Sequence, residues 1–231
     1  MARHLQREIE NLKKRILALG AQVEQRVRDS IRALEDRNAD LARQIIEKDT
    51  EIDVVEVEIE EECLKILALH QPVAIDLRFI ISVLKINNDL ERIGDLAVNI
   101  AERASFLAHQ PEVQVHLNFS GMAQITHTML KQSLDALVHL NAKLAHQVCL
   151  ADNQVDDLHR DMYVKIQNAI RANPRQIESL IQLLSASRHL ERIADHATNV
   201  AEDVIYMIAG EIVRHNPEKF RDPPKNHKPP Q

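Results

Sequence analysis

The sequence predicts an all-α chain folded as two tandem three-helix bundles related by an internal repeat, and three observations carry that prediction. The 231 residues include four Gly, two Tyr, four Phe and no Trp, with Leu, Ile, Ala, Glu and Arg abundant. That composition is the opposite of a turn-rich β protein. Apolar residues recur at three- and four-residue steps over long stretches, the period of an amphipathic helix. A thirteen-residue string also occurs twice. Residues 90–102 read Leu-Glu-Arg-Ile-Gly-Asp-Leu-Ala-Val-Asn-Ile-Ala-Glu and residues 190–202 read Leu-Glu-Arg-Ile-Ala-Asp-His-Ala-Thr-Asn-Val-Ala-Glu, with nine of thirteen positions identical. A length that suits two domains of about 100 to 120 residues then favours two similar halves.

Taken in order, Leu5, Ile9, Leu12, Ile16, Leu19, Val23, Val27, Ile31 and Leu34 mark one long helix. Asp36 to Asp40 breaks it and offers capping side chains for a second helix over 39–70. Gln71-Pro72 ends that helix, because the residue before proline avoids the α region. A third helix, 73–107, carries the first copy of the string. His109 to Phe119 lacks helical period and reads as a linker. Ser120 can cap a fourth helix to about 140, Asn141 a fifth to about 172, and Asn173-Pro174 opens a sixth, 174–214, that carries the second copy. The expected organisation is a first repeat over 1–110, a second over 118–215, and a proline-rich tail over 216–231 that is too polar to pack.

The repeat extends beyond the string. Leu34–Asp53 aligns on Leu137–Asp156 at an offset of 103, pairing Asp49 with Asp152, Ile52 with Val155 and Asp53 with Asp156. On a helical wheel Glu91, Asp95 and Glu102 fall within about 40° of one another with Asn99 beside them, while Leu90, Ile93, Ala97, Ile100 and Ala101 lie roughly opposite. Glu191, Asp195, Asn199 and Glu202 repeat the acidic face. The second helix has its own stripe in Asp49, Asp53, Glu56 and Glu60, and the fifth has Asp152, Asp156 and His159.

Like charges at i, i+4 cost about 0.2 to 0.5 kcal/mol per pair on an exposed helix. One reading is that these are solvated faces eased by Arg92, Arg103, Arg192 and Lys48. The other is that two stripes of one bundle face each other and share a hard cation, since multivalent metals favour clustered carboxylate oxygens. Asp49, Asp53, Glu91 and Asp95 would form one metal site, and Asp152, Asp156, Glu191 and Asp195 the other. Gly94, matched by Ala194, reads as a close helix contact. His189 and His196 read as surface or inter-bundle histidines, more than about 90° from the acidic face.

A net charge of −6 without a basic stripe argues against a nucleic-acid partner. The charged N-terminus and the lack of a long apolar run point to a cytoplasmic protein without membrane insertion. Cys63 and Cys149 lack CxxC spacing and read as buried reduced thiols. The Glu-x-x-His of a di-iron bundle is absent, the four glycines are too isolated for a phosphate loop, and His159-Arg160-Asp161 lies mid-helix. No catalytic or organic-cofactor site is expected.

The doubled string, the paired Asp-x-x-x-Asp and Glu-x-x-x-Asp motifs, the segment Pro72 to Arg78 and Leu19-Gly20 together resemble the PhoU family of bacterial phosphate-uptake regulators, over nearly the whole chain to Arg214. The resemblance implies a PhoU-like repeat of three-helix bundles, a homodimer, and a non-enzymatic cytoplasmic regulator of phosphate uptake and the phosphate-starvation response. It implies docking to the phosphate ABC transporter, through its ATPase subunit, and to a phosphate-sensing histidine kinase. It also implies multinuclear iron or zinc clusters, with other divalent metals as alternatives, on motifs matching Asp49/Asp53, Glu91/Asp95, Asp152/Asp156 and Glu191/Asp195. Departures from the motif are His159 and Tyr163 in the second half, where the first has Glu56 and Glu60. The alternative to the regulatory role is a carboxylate-bundle metal-binding protein or a helical scaffold without a phosphate role.

Overall fold

The structure, a computed structural model, describes residues 2–113 and 115–210. Its helices are α1 (Ala2–Glu35), α2 (Ala39–Glu47), α3 (Thr50–His70), α4 (Ala74–Ala108), α5 (Phe119–His139), α6 (Ala142–Ala172) and α7 (Ile177–Ala209), with a 3₁₀ turn at Pro174–Gln176. Helices α1, α3 and α4 pack into a first bundle, with short α2 laid across α1 and α4, and α5, α6 and α7 form the second. The fold is all-α with two helical bundles, as the internal repeat requires.

The apolar stripe of the repeated string forms the centre of each bundle. Leu90, Ile93, Ala97, Ile100 and Ala101 are buried, as are Leu190, Ile193, Ala197, Val200 and Ala201. Both sets belong to one continuous hydrophobic core, because α4 and α7 lie along each other and join the bundles. The two copies of the string therefore face one another across the middle of the molecule.

Four helix boundaries differ from the sequence expectation. The helix expected over 39–70 is divided at Lys48-Asp49 into α2 and α3. The Arg26 guanidinium, reaching from α1, donates to the main-chain carbonyls of Lys48 and Asp49 at that break, satisfying acceptors that a continuous helix would have used. Ser120 does not cap α5, which begins at Phe119; its hydroxyl donates to Glu35 Oε1 on α1 at 2.7 Å. Asn173 makes no side-chain cap, and Pro174 opens the 3₁₀ turn before α7. Helix α7 stops at Ala209 because Gly210 turns left-handed, with φ of 73° and its N–H donating to the Tyr206 carbonyl. The expected extension over 211–214 and the tail over 216–231 lie outside the described residues.

Other expectations stand. Asn38 and Asn141 cap α2 and α6 by accepting from the Leu41 and Leu144 N–H groups. Residues 109–113 and 115–118 are non-helical between the repeats. Cys63 is buried as expected, whereas Cys149 is only half-buried, and both thiols are free. Among the described residues no helix is long and apolar enough to cross a membrane.

Candidate functional site

The split that frees α3 from α2 also places Asp53 in the first turn of a new helix, where the macrodipole favours negative charge. Opposite it, α4 presents Glu91 and Asp95 one turn apart. One carboxylate oxygen from each of Asp53, Glu91 and Asp95 lies within 4.8 Å of the others, and all three residues are half-buried. Among the described residues no other trio of Asp, Glu, His or Cys side chains converges this closely.

The electrostatics of this trio favour a cation. Burial, followed by the neighbouring Asp95, holds the Glu91 carboxyl above its ordinary range. Asp95 is raised by burial and then by Asp49 and Asp53. Asp49 therefore acts on the cluster from the start of α3, although its oxygen is not among the three that converge. Glu91 Oε2 is buried without a hydrogen bond, its ion-pair partner Arg92 Nε standing 3.5 Å away. Arg26 supplies part of the balancing charge from α1, facing Asp49, Glu51, Asp53 and Asp95. Oxygen donors at this spacing, one of them unsatisfied, fit a hard multivalent metal ion. Asp53, Glu91 and Asp95 would hold it.

One turn further, the stripe is diverted. Asn87 donates its amide to both the carbonyl and the Oε1 of Glu56, at 2.9 and 3.0 Å, tying that carboxylate to α4. In the second bundle His159 takes the place of Glu56 and its Nδ1 lies 3.1 Å from the Ser187 hydroxyl.

The second acidic group faces across α6 and α7. Burial pushes the Asp152 carboxyl up to about 7, helped by Asp195, Asp156 and Glu191 in that order. Asp195 is raised to about 6 by burial and then by Glu191 and Asp156. Asp195 stands at the exposed rim, so water screens part of that effect. Asp152 Oδ1 is buried, and the Thr198 side chain is the polar group that eases its carboxylate. The four carboxylates thus feel one another, but their oxygens are more dispersed than those of the first group. The repeat offset puts Met129 at the position of Arg26, and the arginines that face this group are Arg188 and Arg192 of α7 itself.

The wheel misplaced one residue. Asn199, expected beside the second acidic face, instead donates across the bundle junction to Asp89 Oδ1 at 3.1 Å, where His196 Nδ1 also meets it at 2.8 Å. Asn99 donates to the Asp95 carbonyl of its own helix. Beside this node Lys85 reaches buried Asp203 at 3.3 Å and lies over the Tyr206 ring. The signal for this seam is where the repeat fails to repeat. Lys85, Asp89, Leu96 and Arg103 correspond to Ser185, His189, His196 and Asp203. At a junction between similar halves, complementary partners must differ, since identical charges would repel.

Comparison with known proteins follows the same two halves. The PhoU domain family matches residues 16–104 and 119–204. The phosphate-specific transport system accessory protein PhoU homolog of Pseudomonas aeruginosa is 39% identical over 209 residues, spanning 90% of this chain and 86% of that protein. The homolog from Aquifex aeolicus is 39% identical over 209 residues, spanning 90% and 95%. The crystal structure of PhoU from Pseudomonas aeruginosa superposes with a TM-score of 0.87 at 38% sequence identity, covering 89% of this chain and 99% of the other.

Proposed function

Because the chain belongs to the PhoU family, a family of regulatory, non-enzymatic phosphate-transport proteins, we propose that it restrains phosphate uptake and the phosphate-starvation response from the cytoplasm. It does so by docking, with the ATPase subunit of the phosphate ABC transporter and the phosphate-sensing histidine kinase as its partners. The observation that carries this reading is the match of both repeats in sequence and in three dimensions, since docking surfaces depend on the whole exterior and not on one motif. The exposed apolar residues Val54, Val57 and Leu64 on the outer side of α3 support a protein-contact role, including contact with a second copy in a homodimer.

The acidic groups serve this regulator as metal sites: Asp53, Glu91 and Asp95 with Asp49 at the first, and Asp152, Asp156, Glu191 and Asp195 at the second. A bound multinuclear iron or zinc cluster would supply charge neutralisation and cross-link adjacent helices of each bundle. The protein's own contribution is to hold the carboxylates on rigid helices and to exclude bulk water from one side.

Deleting the gene tests the regulatory reading. Alkaline phosphatase expression in phosphate-rich medium should be released, and unchanged repression there would overturn the proposal.

A further inference from the structure

Helix α3 has a second apolar face. Ile52, Ile59, Cys63 and Ile66 are buried where α3 packs on α1 and α4. Nearly opposite them on the wheel, Val54, Val57 and Leu64 stand 58%, 50% and 53% exposed, and Ala68, one turn beyond Leu64, is exposed as well. Positions 54, 57, 61, 64 and 68 alternate three- and four-residue steps, the spacing of a coiled-coil seam. A stripe of that kind on an already packed helix marks a surface that another helix covers.

The bundle itself does not require this stripe, because the second repeat lacks it. At the offset of 103 the buried positions stay apolar and buried in α6, as Val155, Met162 and Ile166. The outer positions matching Val54, Val57, Leu64 and Ala68 instead hold Asp157, Arg160, Gln167 and Arg171, and Asp157 pairs with Arg160 at 2.9 Å. The same place in the architecture is there a solvated face.

Charge identifies the cover. Helix α3 carries seven acidic residues against one lysine. Exposed Glu51 and Glu58 flank the stripe on one side and Glu60 on the other, and Glu61 stands within it. Arg15 and Lys65 answer Glu58 and Glu62, whereas Glu60 and Glu61 have no ion pair among the described residues. A second α3 laid on this face would set these carboxylates against their like, and an anionic lipid surface would do the same. We propose that the outer face of α3 docks a basic amphipathic helix of a partner protein. Its apolar seam lies along Val54, Val57, Leu64 and Ala68, and its Lys or Arg side chains meet Glu51, Glu58, Glu60 and Glu61. This docking site rests on the regulatory reading above only for its physiological use.

The probe is a fluorescein-labelled peptide of about three heptads, with leucine at a and d and lysine at e and g. In fluorescence anisotropy the full-length chain should bind it at least about tenfold more tightly than the same peptide with glutamate in place of lysine. Val54→Ser combined with Leu64→Ser should weaken binding about tenfold, and Glu60→Gln combined with Glu61→Gln should weaken it and flatten its salt dependence. These side chains are exposed, so an unchanged urea midpoint serves as the folding control. Val164→Ser, on the outer face of α6, should leave binding intact. No binding, equal affinity for the two peptides, or a loss in the serine pair no greater than in Val164→Ser overturns the proposal. So does a dimer that the serine pair dissociates in sedimentation, which identifies a second copy as the cover. Alkaline phosphatase released by gene deletion, without peptide binding, removes this face and keeps the regulator. Peptide binding with repression unchanged does the reverse.

Discussion

Gly94 of α4 packs directly beneath Ile52 of α3: a β-carbon at Gly94 would stand 2.9 Å from Ile52 Cδ1. In the second repeat the same two positions hold Ala194 and Val155. The extra methyl on one helix is matched by the methylene missing from the other.

That exchange predicts a coupled pair. Gly94→Ala gains about 1 kcal/mol of helix propensity, but overpacking against a fully enclosed Ile52 costs about 1 to 3 kcal/mol, a net loss of about 1. Ile52→Val alone costs about 1 kcal/mol as a lost buried methylene. The double substitution should cost clearly less than the sum, by about 1 kcal/mol of favourable coupling in urea unfolding. Strict additivity would mean that the two positions do not compete for space.

Asp89 joins the bundles by receiving both His196 and Asn199. Asp89→Ala leaves two half-buried donors without an acceptor and should cost about 1 kcal/mol, since water partly replaces the lost bonds. Asp89→Asn, which keeps a carbonyl oxygen, should cost less. Chemical denaturation of both variants checks the order, and equal losses would show that packing, not the acceptor, matters there.

Neutralising a carboxylate of the first acidic group should have opposite effects with and without metal. Glu91 is held above its ordinary range by burial and Asp95, so Glu91→Gln should raise the Tm of chelator-treated protein. The same change should lower iron, zinc or manganese binding. Elemental analysis of chelator-free wild-type preparations showing less than about a tenth of an equivalent of any such metal, with no thermal shift on adding one, would remove the metal sites.

Metal-free protein should lose stability as pH rises across the neutral range. Asp152 is raised to about 7 and Asp195 to about 6 in the fold, against about 4 for an unfolded Asp. The native state therefore binds protons that the unfolded state has released, and that contribution, complete near pH 4, is lost as pH climbs through 6 to 7. Asp152→Asn should flatten the Tm profile over this range. A wild-type profile parallel to that of the variant would contradict the assignment.

Both cysteines should be slow nucleophiles. Burial, ahead of neighbouring acidic groups, pushes the Cys63 and Cys149 thiols up to about 12, which leaves almost no thiolate at pH 8. Reaction with a disulfide reagent should accelerate sharply on unfolding. Rapid modification of the native chain would place either thiol nearer solvent.

Local pattern was enough to read the all-α class, the repeated bundle plan, the caps at Asn38 and Asn141 and the buried stripe of the doubled string, because helical period and capping chemistry are written in neighbouring residues. The close contact at Gly94 was legible too, since only a tight approach explains a glycine in mid-helix. The break at Lys48-Asp49 was not, for its cause is Arg26, over twenty positions away. Nor could a wheel separate Asn199, which serves the junction, from Asp195 on the acidic face. A single helix specifies which side chains share a side of it, whereas the partner each one meets is fixed only when a second helix packs there. So the sequence determined four acidic stripes and the apolar stripes that bury opposite them, and the tertiary packing decided that Asp53, Glu91 and Asp95 converge while the second set spreads. The physical reason is that convergence depends on helix position and rotation to within an ångström or so, which burial and distant contacts set and local propensity does not.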